Sequence, residues 1–168
     1  CRSGSATVKA LFIATPGQWK THAMAPRQAA YIYAHLNALQ QALAEKGIPL
    51  IYREVPDFAA SVDAVAAVCK EEKVSHLFYN YQYEINERVR DAAVEKALPD
   101  VACQGFGDSV MLAPGSVMTG HHEMYKVFTP FKNAYLRRLE EGLPQCGVSP
   151  RVRETGPLTG DVTPPHPD

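Results

Sequence analysis

The sequence predicts an α/β fold built on a parallel sheet, and three observations predict it. Short apolar runs alternate with longer segments of helical period between residues 8 and 106. The connectors between them are short, as right-handed crossovers between neighbouring parallel strands require. The chain has 168 residues, 46% of them hydrophobic and 21% charged, which suits one domain or a domain with a tail. A chain of this size buries roughly 68–70% of its unfolded surface, enough for a substantial core.

Val8 to Thr15 (VKALFIAT) is an apolar run closed by Pro16-Gly17, which reads as a buried strand and a turn. A long helix follows. Pro26 suits a first helical position, where its missing N–H is no loss, and Ala29, Ile32, Leu36, Leu39 and Leu43 recur at spacings of three and four. Gly47 stands where a left-handed C-cap is wanted. Pro49 to Val55 (PLIYREV) reads as a second strand, and Phe58, Val62, Val65 and Cys69 repeat the helical spacing through Lys70. The third strand is His76 to Tyr79, followed by the loop Asn80 to Glu84 (NYQYE). A helix from Asn86 to Leu98 carries Val89, Ala92 or Ala93, and Ala97 as its apolar stripe. Asn86 is its expected cap, and Glu87 in the first turn suits the positive end of the helix dipole. Val101 to Phe106 gives a fourth strand.

The pattern changes after Phe106. Asp108 to Leu112 (DSVML) has the composition of a short extra strand, and Ala113 to Gly120 reads as irregular loop. Thr129 is the expected cap of a helix that carries Pro130 in its first turn and runs through Phe131, Tyr135 and Leu139 to Gly142. Six of the 13 prolines lie beyond Leu143. The expected organisation is therefore a domain over residues 1–143 and a linker or disordered tail over 144–168.

Composition excludes several functions. Lys and Arg total 17 against 18 Asp and Glu, a net charge of −1, so the chain is no strongly basic nucleic-acid module. No apolar run approaches the ~20 residues of a membrane span, and no signal segment opens the chain. A soluble, cytoplasmic protein is expected. Cys1, Cys69, Cys103 and Cys146 form no close pair, which argues for reduced thiols over a disulfide scaffold or a zinc site. The chain opens on Cys1 rather than Met, the mark expected of a processed product or a fragment.

No glycine fingerprint for a dinucleotide follows a strand. Gly115 to Gly120 (GSVMTG) has P-loop spacing, but His121-His122 stand where Lys and Ser or Thr must hold phosphate and magnesium. His121, His122 and Glu123 are metal-ligand types on adjacent positions whose side chains diverge, so a solvated loop is the better reading and no metal is expected. His35 and His76 read as structural. In an open parallel sheet, ligands bind past the carboxyl ends of the strands, where the strand order reverses. Two loops occupy such ends: Pro16 to Ala25, with Trp19, Lys20 and His22, and Asn80 to Glu87, with Asn86 and Glu87.

Three strings then resemble one family: TPGQWKTHAMAPRQ (Thr15–Gln28), HLFYNYQYEINERVRD (His76–Asp91) and GSVMTGHHEMYKVFTPFKNAYLRRL (Gly115–Leu139). They are similar to the N-terminal domain of bacterial class I DNA photolyases over nearly the whole chain. The resemblance implies a doubly wound, Rossmann-like α/β antenna domain that binds 5,10-methenyltetrahydrofolate. This chromophore passes excitation to reduced FAD in a separate helical domain, which splits cyclobutane pyrimidine dimers in UV-damaged DNA. Carried over by position, the folate contacts fall on His22, Asn86 and Glu87. The chemistry is suitable, since a carboxylate accepts from the adjacent amino group and ring N–H of a pterin at once. His121 replaces an expected Asn, and Tyr135 an expected Trp.

The resemblance further implies that the family's first strand and helix precede Cys1 and that the FAD domain follows Asp168. No catalytic residue is therefore expected here, and damaged DNA would be a partner only through the helical domain. The family's first strand is central in its sheet, so the strands at Val8–Thr15 and His76–Tyr79 are expected to lack their shared neighbour. A monomer is expected. A cryptochrome-type photoreceptor keeps the same fold, and a generic nucleotide-binding α/β module is the third possibility.

Overall fold

The computed structural model describes residues 7–142. Four strands and five helices follow in the order β1 (Ala10–Ala14), α1 (Pro16–Thr21), α2 (Pro26–Glu45), β2 (Leu50–Glu54), α3 (Phe58–Glu71), β3 (His76–Asn80), α4 (Ile85–Ala97), β4 (Ala102–Phe106) and α5 (Phe128–Glu140). The residues expected in tail 144–168 lie outside the described part.

The strands form two parallel pairs rather than one continuous sheet. β1 pairs with β2 from Ala10 opposite Leu50 to Ala14 opposite Glu54, and β3 with β4 from His76 opposite Ala102 to Asn80 opposite Phe106. The expected break between β1 and β3 is present: among the described residues no strand joins the two pairs. Each pair has its own core. Tyr33 and Leu36 of α2 pack on Leu50, with Phe12, Trp19 and Tyr52 around them. Cys69 of α3 packs on Val94 and Leu98 at the end of α4, with Val62, Val65 and Leu77 around them. Full burial of such a side chain is worth about 1.5–3 kcal/mol. α3, which connects β2 to β3, thus carries the second core.

Helix ends explain most of the boundaries. Gln28 Oε1 accepts the Ala25 N–H at 2.8 Å beside Pro26, which starts α2. Gly47, at φ 69°, ends it in a Schellman motif in which Ile48 donates to Leu43 O at 2.9 Å. Asp57 Oδ1 accepts the Ala60 N–H at 2.8 Å and caps α3. α3 closes with the same motif but with Lys73 at φ 51° in the glycine position.

Several expectations are corrected. Pro16-Gly17 opens a helix instead of a turn, because Pro16 holds a helical φ at the first position and Trp19 anchors the segment, packing edge-on against Tyr33 at 6.0 Å. Asn86 does not cap α4; Glu84 precedes the helix and Asn86 sits within its first turn. Val89 is 65% exposed and Leu39 48% exposed, so the buried stripes are Val94–Leu98 on α4 and Tyr33–Leu36 on α2. Asp108 to Leu112 forms bends and no strand. Thr129 lies inside α5, which begins at Phe128 after Val127.

Candidate functional site

The two loops chosen from the sequence leave the carboxyl ends of β1 and β3. β1 ends at Ala14, and the buried Thr15 leads into α1. One turn of α1 presents Gln18 and His22 on the same face, and the Gln18 amide donates to the imidazole with Nε2 atoms 2.8 Å apart. The His22 backbone N–H donates to Gln18 O at 3.0 Å, so backbone and side chain both fix this residue to the helix. Gly17 lets α1 lie against the loop before α3: a Cβ there would stand 2.4 Å from Pro56 O, the carbonyl that accepts the Gln18 N–H at 2.9 Å.

Past β3 the chain is tied down at three points. Tyr81 donates its backbone N–H to Phe106 O at 2.8 Å, Asn80 Nδ2 donates to Asp108 Oδ2 at 2.7 Å, and Arg90 Nη2 donates to Gln82 Oε1 at 2.9 Å. The Tyr81 ring lies over Gly105, where a Cβ would come within 2.3 Å of it, and meets Tyr79 edge-on at 5.8 Å. Tyr79 donates its hydroxyl to Glu95, and burial together with that bond raises its pKa. The YNYQY segment is thus a braced platform, and α4 begins from it. Asn86 is exposed and Glu87 partly buried in the first turn, flanked by Ile85 and Val89, which are 79% and 65% exposed.

His22 ends α1, which follows the carboxyl end of β1, and Asn86 and Glu87 lie in the first turn of α4, which follows the carboxyl end of β3. Among the described residues no hydrogen bond or ring contact joins His22 to Asn86 or Glu87, and the side chains of Asn86 and Glu87 are engaged with no other residue. Sequence reading missed Gln18, whose spacing of four from His22 within a helix is the signal that finds it. It also missed the bracing partners Asp108, Glu95 and Arg90, which are far from their contacts in sequence.

The histidines read as structural have ordinary partners. His35 lies 4.1 Å from the Tyr31 ring, and His76 stacks on Phe78 at 6.1 Å. His121, His122 and Glu123 form a tight turn in which Thr119 N donates to Glu123 O at 2.8 Å. Among the described residues no group of three or more His, Cys, Asp or Glu is arranged to hold a metal ion. No described helix is long and apolar enough to cross a membrane.

A family description, DNA photolyase, matches residues 1–149. The chain belongs to the DNA photolyase family. It is 66% identical to deoxyribodipyrimidine photo-lyase of Salmonella typhimurium over 164 residues, which is 98% of this chain and 35% of that protein. It is likewise 66% identical to the Escherichia coli enzyme of the same name over 158 residues, 94% of this chain and 34% of that protein. The chain therefore spans about a third of the length of these relatives. A bacterial class III photolyase from Agrobacterium tumefaciens shares the fold, with a TM-score of 0.62 over 89% of this chain and 32% of that one, at 16% identity. That likeness establishes the α/β photolyase fold.

Proposed function

We propose that this chain is the light-harvesting part of a DNA photolyase and that it holds 5,10-methenyltetrahydrofolate through His22, Asn86 and Glu87. One observation carries the reading. In a chain of the photolyase family, the three residues lie past the carboxyl ends of β1 and β3, the two strands on either side of the break in the sheet. That is where open parallel sheets bind ligands.

The donor set suits a pterin. Glu87 has no side-chain partner among the described residues, so both carboxylate oxygens are available to the paired N–H groups of the ring edge. Its place in the first turn of α4, at the positive end of the helix dipole, favours negative charge there. Asn86, next to it, both donates and accepts. His22 is held by Gln18 through one ring nitrogen, which leaves the ring face and the other nitrogen for the ligand. Exposed Ile85 and Val89 offer apolar surface beside the polar groups. When bound, the folate absorbs near-ultraviolet or blue light and passes the excitation on to flavin. The reading assigns no catalytic residue to these 168 residues; FAD and UV-damaged DNA engage the helical part of a photolyase.

The test is a titration of the purified chain with methenyltetrahydrofolate, followed by absorption. A red-shifted folate band is expected. Glu87→Ala is expected to weaken uptake by about 10-fold or more, the scale of a lost charge-assisted hydrogen bond. Uptake that is indifferent to Glu87→Ala, Asn86→Ala and His22→Ala overturns the site. The same protein is expected to leave pyrimidine dimers intact under blue light, and dimer splitting by it overturns the antenna reading.

A further inference from the structure

The helix that carries Asn86 and Glu87 starts without a side-chain cap. Glu84 precedes α4 and gives its free N–H groups no side-chain hydrogen bond. The first four amides of a helix have no intrahelical partner, so such a start frays unless the chain entering it is held. Tyr81 is held by its N–H bond to Phe106 O at 2.8 Å, and the Arg88 N–H closes the first turn on Glu84 O at 3.0 Å. Between them, over residues 82–87, one side-chain hydrogen bond is present among the described residues. Gln82 Oε1 accepts it from Arg90 Nη2 at 2.9 Å.

Arg90 is itself fixed on two other sides. Its Nε and Nη2 both donate to Asp91 Oδ1, at 3.0 and 2.7 Å. Its guanidinium lies over the ring of Phe58, the first residue of α3, with 5.1 Å between its central carbon and the ring centroid. The Arg90 and Asp91 side chains are only 23% and 13% exposed, which limits screening by water. A planar fork held by a carboxylate and a ring face keeps one orientation, and here its remaining Nη2 hydrogen reaches Gln82. A lysine ammonium supplies the charge but not the plane. Arg90 also follows Glu87 by three positions, a spacing at which opposite charges pair on a helix. Its bonds go to Asp91 and Gln82 instead, and Glu87 keeps its carboxylate unpaired among the described residues.

We infer that Arg90 is a positioning residue of the proposed folate site: through Gln82 it fixes the loop that enters α4, and so sets the direction in which Asn86 and Glu87 meet the ligand. Asp91 and Phe58 hold the guanidinium, the guanidinium holds Gln82, and Gln82 holds the uncapped first turn. Arg90 touches no ligand in this scheme. A carboxylate that grips two adjacent N–H groups must point correctly as well as be present. A frayed first turn therefore weakens binding with every ligand contact still in the chain, because the ordering is then done at the moment of binding. The inference rests on the folate reading and adds to it the device that keeps the α4 contacts in place.

The test uses the purified 168-residue chain, titrated with methenyltetrahydrofolate, with circular dichroism of the bound folate band and amide exchange of the folate-free chain. Gln82 is exposed, so Gln82→Ala removes the acceptor and leaves the core intact. It is expected to weaken uptake about 3- to 10-fold, to alter the folate dichroism, and to speed exchange of the Arg88 amide, with the melting temperature nearly unchanged. Gln82→Glu keeps an acceptor and is expected to restore all three. Arg90→Lys is expected to lose as much uptake as Gln82→Ala, and adding Gln82→Ala to it is expected to cost nothing more, as for two residues that act through one bond. Unchanged uptake or unchanged Arg88 exchange in Gln82→Ala, or losses that add in the double variant, overturn the inference. Asn86→Ala and Glu87→Ala separate it from the reading beneath it. Uptake indifferent to both removes the folate contacts on α4 and this inference with them, whereas uptake that needs them but not Gln82 overturns this inference alone.

Discussion

Gln18 and His22 meet across one turn of α1, with the amide nitrogen 2.8 Å from the imidazole Nε2. The amide is a donor, so the ring nitrogen it meets is the unprotonated one and Nδ1 carries the hydrogen. Gln18 itself is set by its backbone N–H, which bonds to Pro56 O at 2.9 Å. A chain of contacts thus runs from the loop before α3 to a candidate folate contact.

Gln18→Ala removes the tether and leaves His22 in place. Folate uptake is expected to fall about 3- to 10-fold, the value of one neutral hydrogen bond, while the melting temperature stays nearly unchanged. Absorption titration of the variant checks it. An unchanged affinity shows that the ring needs no fixing.

Gly17→Ala and Gly105→Ala separate two kinds of obstacle. At Gly17 the new methyl meets a backbone carbonyl at 2.4 Å, and α1 must shift to make room. A cost of about 1–3 kcal/mol is expected. At Gly105 the obstacle is the far end of the Tyr81 ring, at 2.3 Å, and Tyr81 is 42% exposed and free to swing out. The expected cost there is smaller, about 1 kcal/mol or less, with a change in near-ultraviolet circular dichroism as the contact with Tyr79 is lost. Tyr81→Ala in the same chain is expected to abolish the cost at Gly105. Urea denaturation of the variants gives the order.

Lys73 occupies the left-handed position that ends α3, at φ 51°. A side chain there costs about 1–2 kcal/mol relative to a relaxed conformation, and glycine carries no such cost. Lys73→Gly is therefore expected to stabilise the fold by about 1 kcal/mol, offset slightly by the freer unfolded chain. Thermal melting checks the sign; a destabilised variant shows that the lysine side chain contributes more than its backbone strain costs.

Tyr52 and Tyr79 both have raised pKa values. Burial is the main cause for each, followed by hydrogen bonds with Tyr33 and Glu54 for Tyr52, and with Glu95 for Tyr79. The folded state holds these phenolic protons more tightly than the unfolded state. Their contribution is therefore complete below the ordinary tyrosine value of about 10 and is lost as pH rises above it. Stability is expected to fall steeply with pH above about 10. Replacing both tyrosines by Phe is expected to flatten that slope, as followed by denaturation at a series of alkaline pH values.

The elements themselves were legible in the sequence because their signals are local. Strand runs, three-and-four spacing, Pro26 at a helix start and Gly47 at a helix end each involve residues a few positions apart, and each stands within a residue or two of its expected place. The errors cluster where local chemistry offered a plausible but unused option. Asn86 and Thr129 are good caps by type, yet the helices begin one residue earlier, at Ile85 and Phe128, where no side chain caps them. Val89 and Leu39 follow the apolar spacing but face outward, because which stripe is buried depends on what packs against it.

Sequence alone therefore determined the alternation of β1 to β4 with the longer helices α2 to α4, their parallel direction and the family, but not the short helix α1 nor the lack of a strand at Asp108 to Leu112, since short-range periodicity and long matching strings carry only the former. Tertiary structure decided what distant residues do to one another. It gave Gln18 its role beside His22 through the fold of α1, braced the loop after β3 with Asp108 and Arg90, and set the Arg90 guanidinium over the Phe58 ring of α3. These are relations in space between groups that no short-range pattern links, and only packing brings them together.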